Sequence, residues 1–158
     1  MLPELGHFAL ILAFILAALQ AFFGILGPAL RRERWLAAVG PAVTGQFVML
    51  SAAMGSMIAS FVHNDFSVEY VAANSNSALP VLYRVSALWG AHEGSLLLWA
   101  WLLVTWSLAV ALLTRRLPPA FVARVLGVLG LVSTGFLLFT LATSNPFARL
   151  VPAAVDGR

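Results

Sequence analysis

Charged residues cut the chain into four long apolar runs. Leu5 to Leu30 lies between Glu4 and Arg31, and Trp35 to Val62 lies between Arg34 and His63. Gly94 to Thr114 lies between Glu93 and Arg115, and Val125 to Ala148 between Arg124 and Arg149. The hydrocarbon core of a bilayer is spanned by about 20 apolar residues in a helix. A charge at the helix centre costs roughly 2.5–3.5 kcal/mol on insertion scales. Each run is long enough and free of such charges, so the pattern predicts four transmembrane helices, near 7–29, 38–62, 94–114 and 124–143. Small residues recur at helical spacing within them. Ala13, Ala17 and Ala21 form a ridge on the first helix; Ser51, Gly55 and Ala59, and Ala52, Ser56 and Ser60, form two on the second. Small-xxx-small ridges let helix backbones approach closely in lipid, and two of them predict a central place for the second helix.

Composition sharpens this reading. Hydrophobic residues make up 61% of the 158 positions and charged residues only 9%, against about 25% charged in an ordinary soluble domain. A soluble globular enzyme and a disordered chain are both excluded. With no cysteine, the chain has no disulfide, thiolate metal site or thiol nucleophile.

The net charge of +3 comes entirely from arginines grouped between apolar runs, a topology pattern and not a nucleic-acid footprint. No Lys or Arg precedes the first run, whereas Arg31, Arg32 and Arg34 follow it. This is the reverse of a cleavable signal peptide and predicts an uncleaved first helix. Arg115, Arg116 and Arg124 fill the last inter-helix connection, while Arg84 in the 63–93 segment is outnumbered by Asp65, Glu69 and Glu93. The positive-inside rule then puts 31–34 and 115–124 in the cytoplasm. The expected fold is an all-α polytopic membrane bundle of four transmembrane helices over 1–143, with both termini periplasmic. Segment 63–93 is periplasmic, and 144–158 is an exposed periplasmic tail rich in proline.

The outer segment holds most of the unusual residues. Phe66, Val68 and Tyr70 alternate with period two, predicting a short extended piece. Asn74-Ser75-Asn76-Ser77 favours turns through side-chain to backbone hydrogen bonds. Trp89-Gly90-Ala91-His92-Glu93-Gly94-Ser95 stands at the entry to the third helix. Gly90 and Gly94 suit a turn or a close approach, Ser95 is typed to cap the helix, and Glu93 complements its positive end. Trp89 and Trp99 would pack this turn against the bundle, and Trp35, Tyr83 and Trp89 fit an aromatic belt. His7, His63 and His92 all fall near outer helix ends. Histidine is a common metal and heme ligand, and His92, beside Glu93 and flanked by Trp89 and Trp99, is the strongest of the three as a cofactor contact; an interfacial, hydrogen-bonded imidazole is the alternative. Nucleotide-binding and zinc-protease motifs are absent, and no acidic residue lies mid-helix to relay protons.

The stretch YVAANSNSALPVLYRVSALWGAHEGSLLLW at 70–99, the opening LPELGHFALILA and the run SNPF at 144–147 closely resemble the CcmF family of cytochrome c biogenesis proteins. The resemblance covers essentially the whole chain. Asn74, Ser75, Asn76, Pro80, Tyr83, Arg84, Trp89, Gly90, His92, Glu93, Gly94 and Ser95 carry its motifs, with no role assigned to any of them. A related NrfE-like branch serves nitrite-reductase heme attachment. The resemblance implies the membrane subunit of a heme lyase in the bacterial inner membrane, which attaches heme b covalently to apocytochrome c on the periplasmic side. It also implies the heme chaperone CcmE, CcmH and CcmI as partners. Family members are several times longer, and their WWD-type segment and heme-ligating histidines lie outside this stretch. The chain therefore reads as their amino-terminal quarter, a fragment or one part of a split protein. No catalytic or metal-binding residue is assigned, and no heme is expected on this stretch alone. A membrane scaffold that recruits partners without heme chemistry, and a heme-transport subunit, are the alternative readings.

Overall fold

A computed structural model describes residues 1–114 and 116–157; Arg115 and Arg158, both counted in the charge argument, lie outside the described residues. Among these residues the fold is all-helical: α1 (Leu2–Ala29), α2 (Glu33–Val62), α3 (Glu69–Asn74), α4 (Val81–Ala87), α5 (His92–Leu113) and α6 (Pro119–Thr143). Helices α1, α2, α5 and α6 are each long and apolar enough to cross a membrane, and helical backbone satisfies its own polar groups in lipid. Helix α2, with 30 residues, rises about 45 Å, more than a hydrocarbon core of about 30 Å. Helical hydrogen bonding thus runs past the apolar stretch into charged first turns. Prolines near the starts of α1 and α6 extend these helices at no hydrogen-bond cost.

Helix α1 packs against α2 and α6, α5 closes the bundle between α2 and α6, and α2 meets α6 more sparsely. The ridge of Ala13, Ala17 and Ala21 on α1 is buried, as expected. The tightest crossing, however, lies between α1 and α6. A Cβ added to Gly24 would stand 2.5 Å from the Ala123 carbonyl oxygen and the Gly127 Cα, and one on Gly130 would stand 2.8 Å from the Ala21 nitrogen. Two features of α2 differ from expectation. Gly55 and Ala52 are exposed, and an added Cβ on Gly55 meets nothing within 4 Å. The packed face is instead built of Leu50, Ala53, Met57 and Phe61 together with Ser56 and Ser60. Periodicity marks which residues share a face but not which face meets a neighbour.

The bundle also buries Gln20 and Gln46 completely. Gln20 Nε2 donates to the Leu126 carbonyl at 2.7 Å, tying α1 to α6. Both amide atoms of Gln46 lack a partner among the described residues.

Segment 63–93 and the tail form a cap over one end of the bundle. Val68 is extended and bridges Arg149 in antiparallel fashion, but Phe66 lies in a turn and α3 begins at Glu69, so the extended piece predicted over 66–70 is confined to Val68. Helix α4 was not foreseen; Pro80 stands at its N-cap. The tail is less exposed than its composition implies. Phe147 is buried, Leu150 N–H donates to the Ser67 carbonyl and Glu69 N–H to the Ala148 carbonyl, both at 2.9 Å. Beyond Leu150 the residues return to the surface, with Val151 and Val155 fully exposed.

Candidate functional site

The three stretches that carry the resemblance meet at the capped end. A cleft of about 110 Å³ is lined by Glu69, Tyr70, Asn74, Glu93 and Asn145, with alanines between them. Asn145 Nδ2 lies 3.2 Å from His7 Nδ1, which brings the first stretch into the same cluster. Each wall has a local cause. Asn145 is held by its Oδ1, which accepts the Phe147 N–H at 3.0 Å. Asn74 Nδ2 donates to the Tyr70 carbonyl at 2.9 Å, ending α3. Glu93 sits in the first turn of α5, where a carboxylate opposes the helix dipole. The cleft is thus rich in carboxylates and carboxamides, suited to a cationic or hydrogen-bond-donating partner group.

Tyr70 and Arg84 hold the cap together. The Tyr70 hydroxyl donates to the Leu88 carbonyl at 2.6 Å, and burial pushes its phenol above the usual tyrosine range. Arg84 clasps three carbonyls: Nε donates to Leu79 at 2.7 Å, Nη2 to Ser77 at 2.9 Å and Nη1 to Val62 at 3.3 Å. The Asn-Ser-Asn-Ser stretch runs from the last residue of α3 through an extended Ser75 into a turn at Ser77 and Ala78, with the Ala78 N–H donating to Asn76 Oδ1 at 3.1 Å. Ser77 is clamped from the tail: Asp156 accepts its hydroxyl at 2.7 Å and its N–H at 3.0 Å. These hydrogen bonds hold the Asp156 carboxyl below its ordinary range, the Ser77 hydroxyl contributing most. At the opposite flank Arg149 pairs with Glu4 and contacts Ser67.

The helix-entry turn is assembled differently from expectation. Ala91 is the N-cap of α5 and makes no side-chain cap. Ser95 lies inside the helix, and its hydroxyl donates back to the Trp89 carbonyl at 3.0 Å, closing the turn. Gly94 is required for close approach, since an added Cβ would overlap the Leu88 carbonyl oxygen. Gly90 has no such demand: its nearest contact would be at 3.3 Å, and no glycine has positive φ among the described residues. Trp89 is 44% exposed and Trp99 63% exposed, so Trp99 does not pack the turn. Trp101 turns inward farther along α5, where its Nε1 donates to Ser51 Oγ at 3.0 Å and ties α5 to α2. Tyr83 and Pro80 are exposed on the rim.

The histidines occupy three different settings. His92 is exposed and packs edge-on against Phe139 at 6.0 Å between ring centroids. His7 contacts Asn145, and His63 is exposed at the end of α2. Among the described residues no group of three His, Cys, Asp or Glu side chains could hold a metal ion. Each histidine thus stands in a setting of its own, His92 on an aromatic ring, His7 on a carboxamide and His63 at a helix end. Tyr70, Asn145 and Glu69 are the participants that sequence reasoning left unassigned; the buried period-two alternation at Tyr70 and the SNPF run were their only signals.

The cytochrome C assembly protein family matches residues 89–156. The chain is 54% identical to the cytochrome c-type biogenesis protein CcmF of Pseudomonas aeruginosa, over 99% of this chain and 24% of that protein. It is 47% identical to CcmF of Escherichia coli, over 100% of this chain and 25% of its relative. Against NrfE of Haemophilus influenzae the identity is 40%, with 100% of this chain and 25% of that protein covered. Among solved structures, a cytochrome c heme lyase CcmF superposes with a TM-score of 0.88 at 26% identity, covering 93% of this chain and 25% of that one. The chain spans about a quarter of the length of these proteins.

Proposed function

This chain belongs to the CcmF family of cytochrome c-type biogenesis proteins, matching its amino-terminal quarter, and on that premise we propose that it forms the entry bundle of a heme lyase. Its role lies in cytochrome c maturation. In the proposed reading the complete protein sits in the bacterial inner membrane and attaches heme b to apocytochrome c on the periplasmic side. The four helices supply the scaffold, and the cap supplies part of the outer surface on which CcmE, CcmH, CcmI or the apoprotein assembles. Heme-ligating residues are assigned to none of the positions in this chain.

The observation that carries the reading is the convergence of Asn74, Glu93 and Asn145, with His7 against Asn145, from three separated stretches on one cleft. A scaffold needing only a stable bundle has no use for an outward polar cleft assembled this way. In the complete protein, the double variant Glu69→Gln and Glu93→Gln should lower heme-stained cytochrome c while immunoblots show unchanged abundance. Normal maturation in that variant would sink the partner-surface reading and leave the bundle as scaffold alone.

A further inference from the structure

The end of the bundle opposite the cap carries a second feature, unrelated to the motif cleft. Between α2 and α5 an apolar crevice of about 600 Å³ runs along Gly40, Thr44, Val48 and Leu108. It adjoins a second apolar pocket of about 240 Å³ between the start of α2, the end of α5 and the start of α6. Gly40 and Ala111 line both, so the two form one groove. Gly40 leaves its wall clear: an added Cβ there meets nothing within 4 Å. The groove's two hydroxyls are satisfied internally: Thr44 Oγ1 donates to the Gly40 carbonyl at 3.1 Å and Thr114 Oγ1 to the Val110 carbonyl at 2.5 Å. The walls therefore ask for hydrocarbon.

Length and charge select the occupant. From Leu36 to Met49 the groove follows α2 for about 20 Å at 1.5 Å per residue, from the interface to roughly the bilayer middle. That is the reach of one leaflet's acyl chain, and a soluble ligand would not use it. The mouth is strongly basic. Arg116 is exposed between Thr114 and Leu117, both of which line the groove. Arg31, Arg32, Arg34 and Arg124 share this end with a single acid, Glu33. The ion pairs recorded among the described residues all lie at the capped end, on Glu4, Asp65 and Arg149. Helix α6 starts at the mouth with no acidic residue in its first turn and no side-chain cap, so its positive dipole end adds to the arginine field.

We propose that this groove binds an anionic phospholipid, its acyl chain along α2 and α5 and its phosphate beside Arg116 and the start of α6. Basic rims over apolar grooves recognise anionic headgroups, with about 1 kcal/mol per arginine near the surface.

The test uses the complete protein purified from membranes, delipidated, and given phosphatidylglycerol or phosphatidylcholine with matched acyl chains. Native mass spectrometry reads the bound lipid. The expected result is a retained phosphatidylglycerol adduct and little phosphatidylcholine. Arg116→Gln should reduce the preference about fivefold, the equivalent of one arginine. Gly40→Leu fills open space, improves helix propensity, and should abolish the adduct at unchanged circular dichroism. Equal retention of the two lipids, or a phosphatidylglycerol adduct that survives Gly40→Leu, overturns the proposal. So does a photo-cross-linker placed on Gly40→Cys that captures protein and not lipid, which would assign the groove to another helix.

Discussion

Gly94 stands where the Tyr70 hydroxyl, the Leu88 carbonyl and the first turn of α5 crowd together. A methyl group there must displace backbone, at a cost of about 3 kcal/mol or more. Gly94→Ala should therefore cut the abundance of the complete protein on immunoblots, while Gly90→Ala, which meets only the Ala87 carbonyl at 3.3 Å, should cost less than about 1 kcal/mol. Equal losses in the two variants would refute the close-approach account. Gln46 makes the opposite case. Its carboxamide is wholly buried, and neither of its polar atoms has a partner among the described residues. An unsatisfied buried amide costs roughly 1–3 kcal/mol. Gln46→Leu, similar in size and apolar, should raise the thermal midpoint of the protein in detergent. A lowered midpoint would mean that the amide is satisfied by an internal water or by a further part of the protein.

Among the elements, the tail shows how little sequence says about docking. Ser144 to Arg158 reads as loop because Pro146 and Pro152 forbid regular structure, yet Phe147 buries itself over Gly6 and Asp156 clamps Ser77. Nothing local announces those partners, which come from residues far away in the chain. The four long helices were legible because a bilayer imposes one rule on every residue of a span. The α1–α6 crossing was not, because the small residues Ala17 and Ala21 on α1 and Ala123 and Gly127 on α6 do not say which helix each ridge meets. The Asp156 clamp has a pH signature. Folding lowers its pKa, so the clamp is fully present above the ordinary value of 3.8 and is lost as pH falls through the lowered one. The protection factor of the Ser77 amide, the intrinsic exchange rate at each pH over the observed one, should be high at neutral pH and fall below that range. Asp156→Ala should show little protection at any pH, and protection as high as in the parent protein would disprove the clamp.

At the scale of the whole molecule, one decision fixes the orientation of everything else. The starts of α1 and α5 and the ends of α2 and α6 gather at the capped end: Ser56 donates to the Leu2 carbonyl, His7 meets Asn145, and Glu93 faces Asn145 across the cleft. The other end holds the turn at 30–31 and, between α5 and α6, the described residues Thr114 and Arg116 to Pro118. Arginines lie at both ends, but their states differ. At the capped end Arg84 is engaged by three carbonyls, and Arg149 is paired with Glu4. At the other end Arg31, Arg34, Arg116 and Arg124 are exposed, and Arg32 rests over the Trp35 ring at 5.4 Å. The charge available to the positive-inside rule is therefore more lopsided than the raw count. It should hold this end in the cytoplasm and turn the motif cleft outward, where the proposed partners act. Alkaline phosphatase fused after residue 75 or after residue 155 should be active, and a fusion near residue 118 inactive. Activity at 118 with silence at 75 would invert the bundle, direct the cleft into the cytoplasm and remove the basis for a periplasmic partner surface.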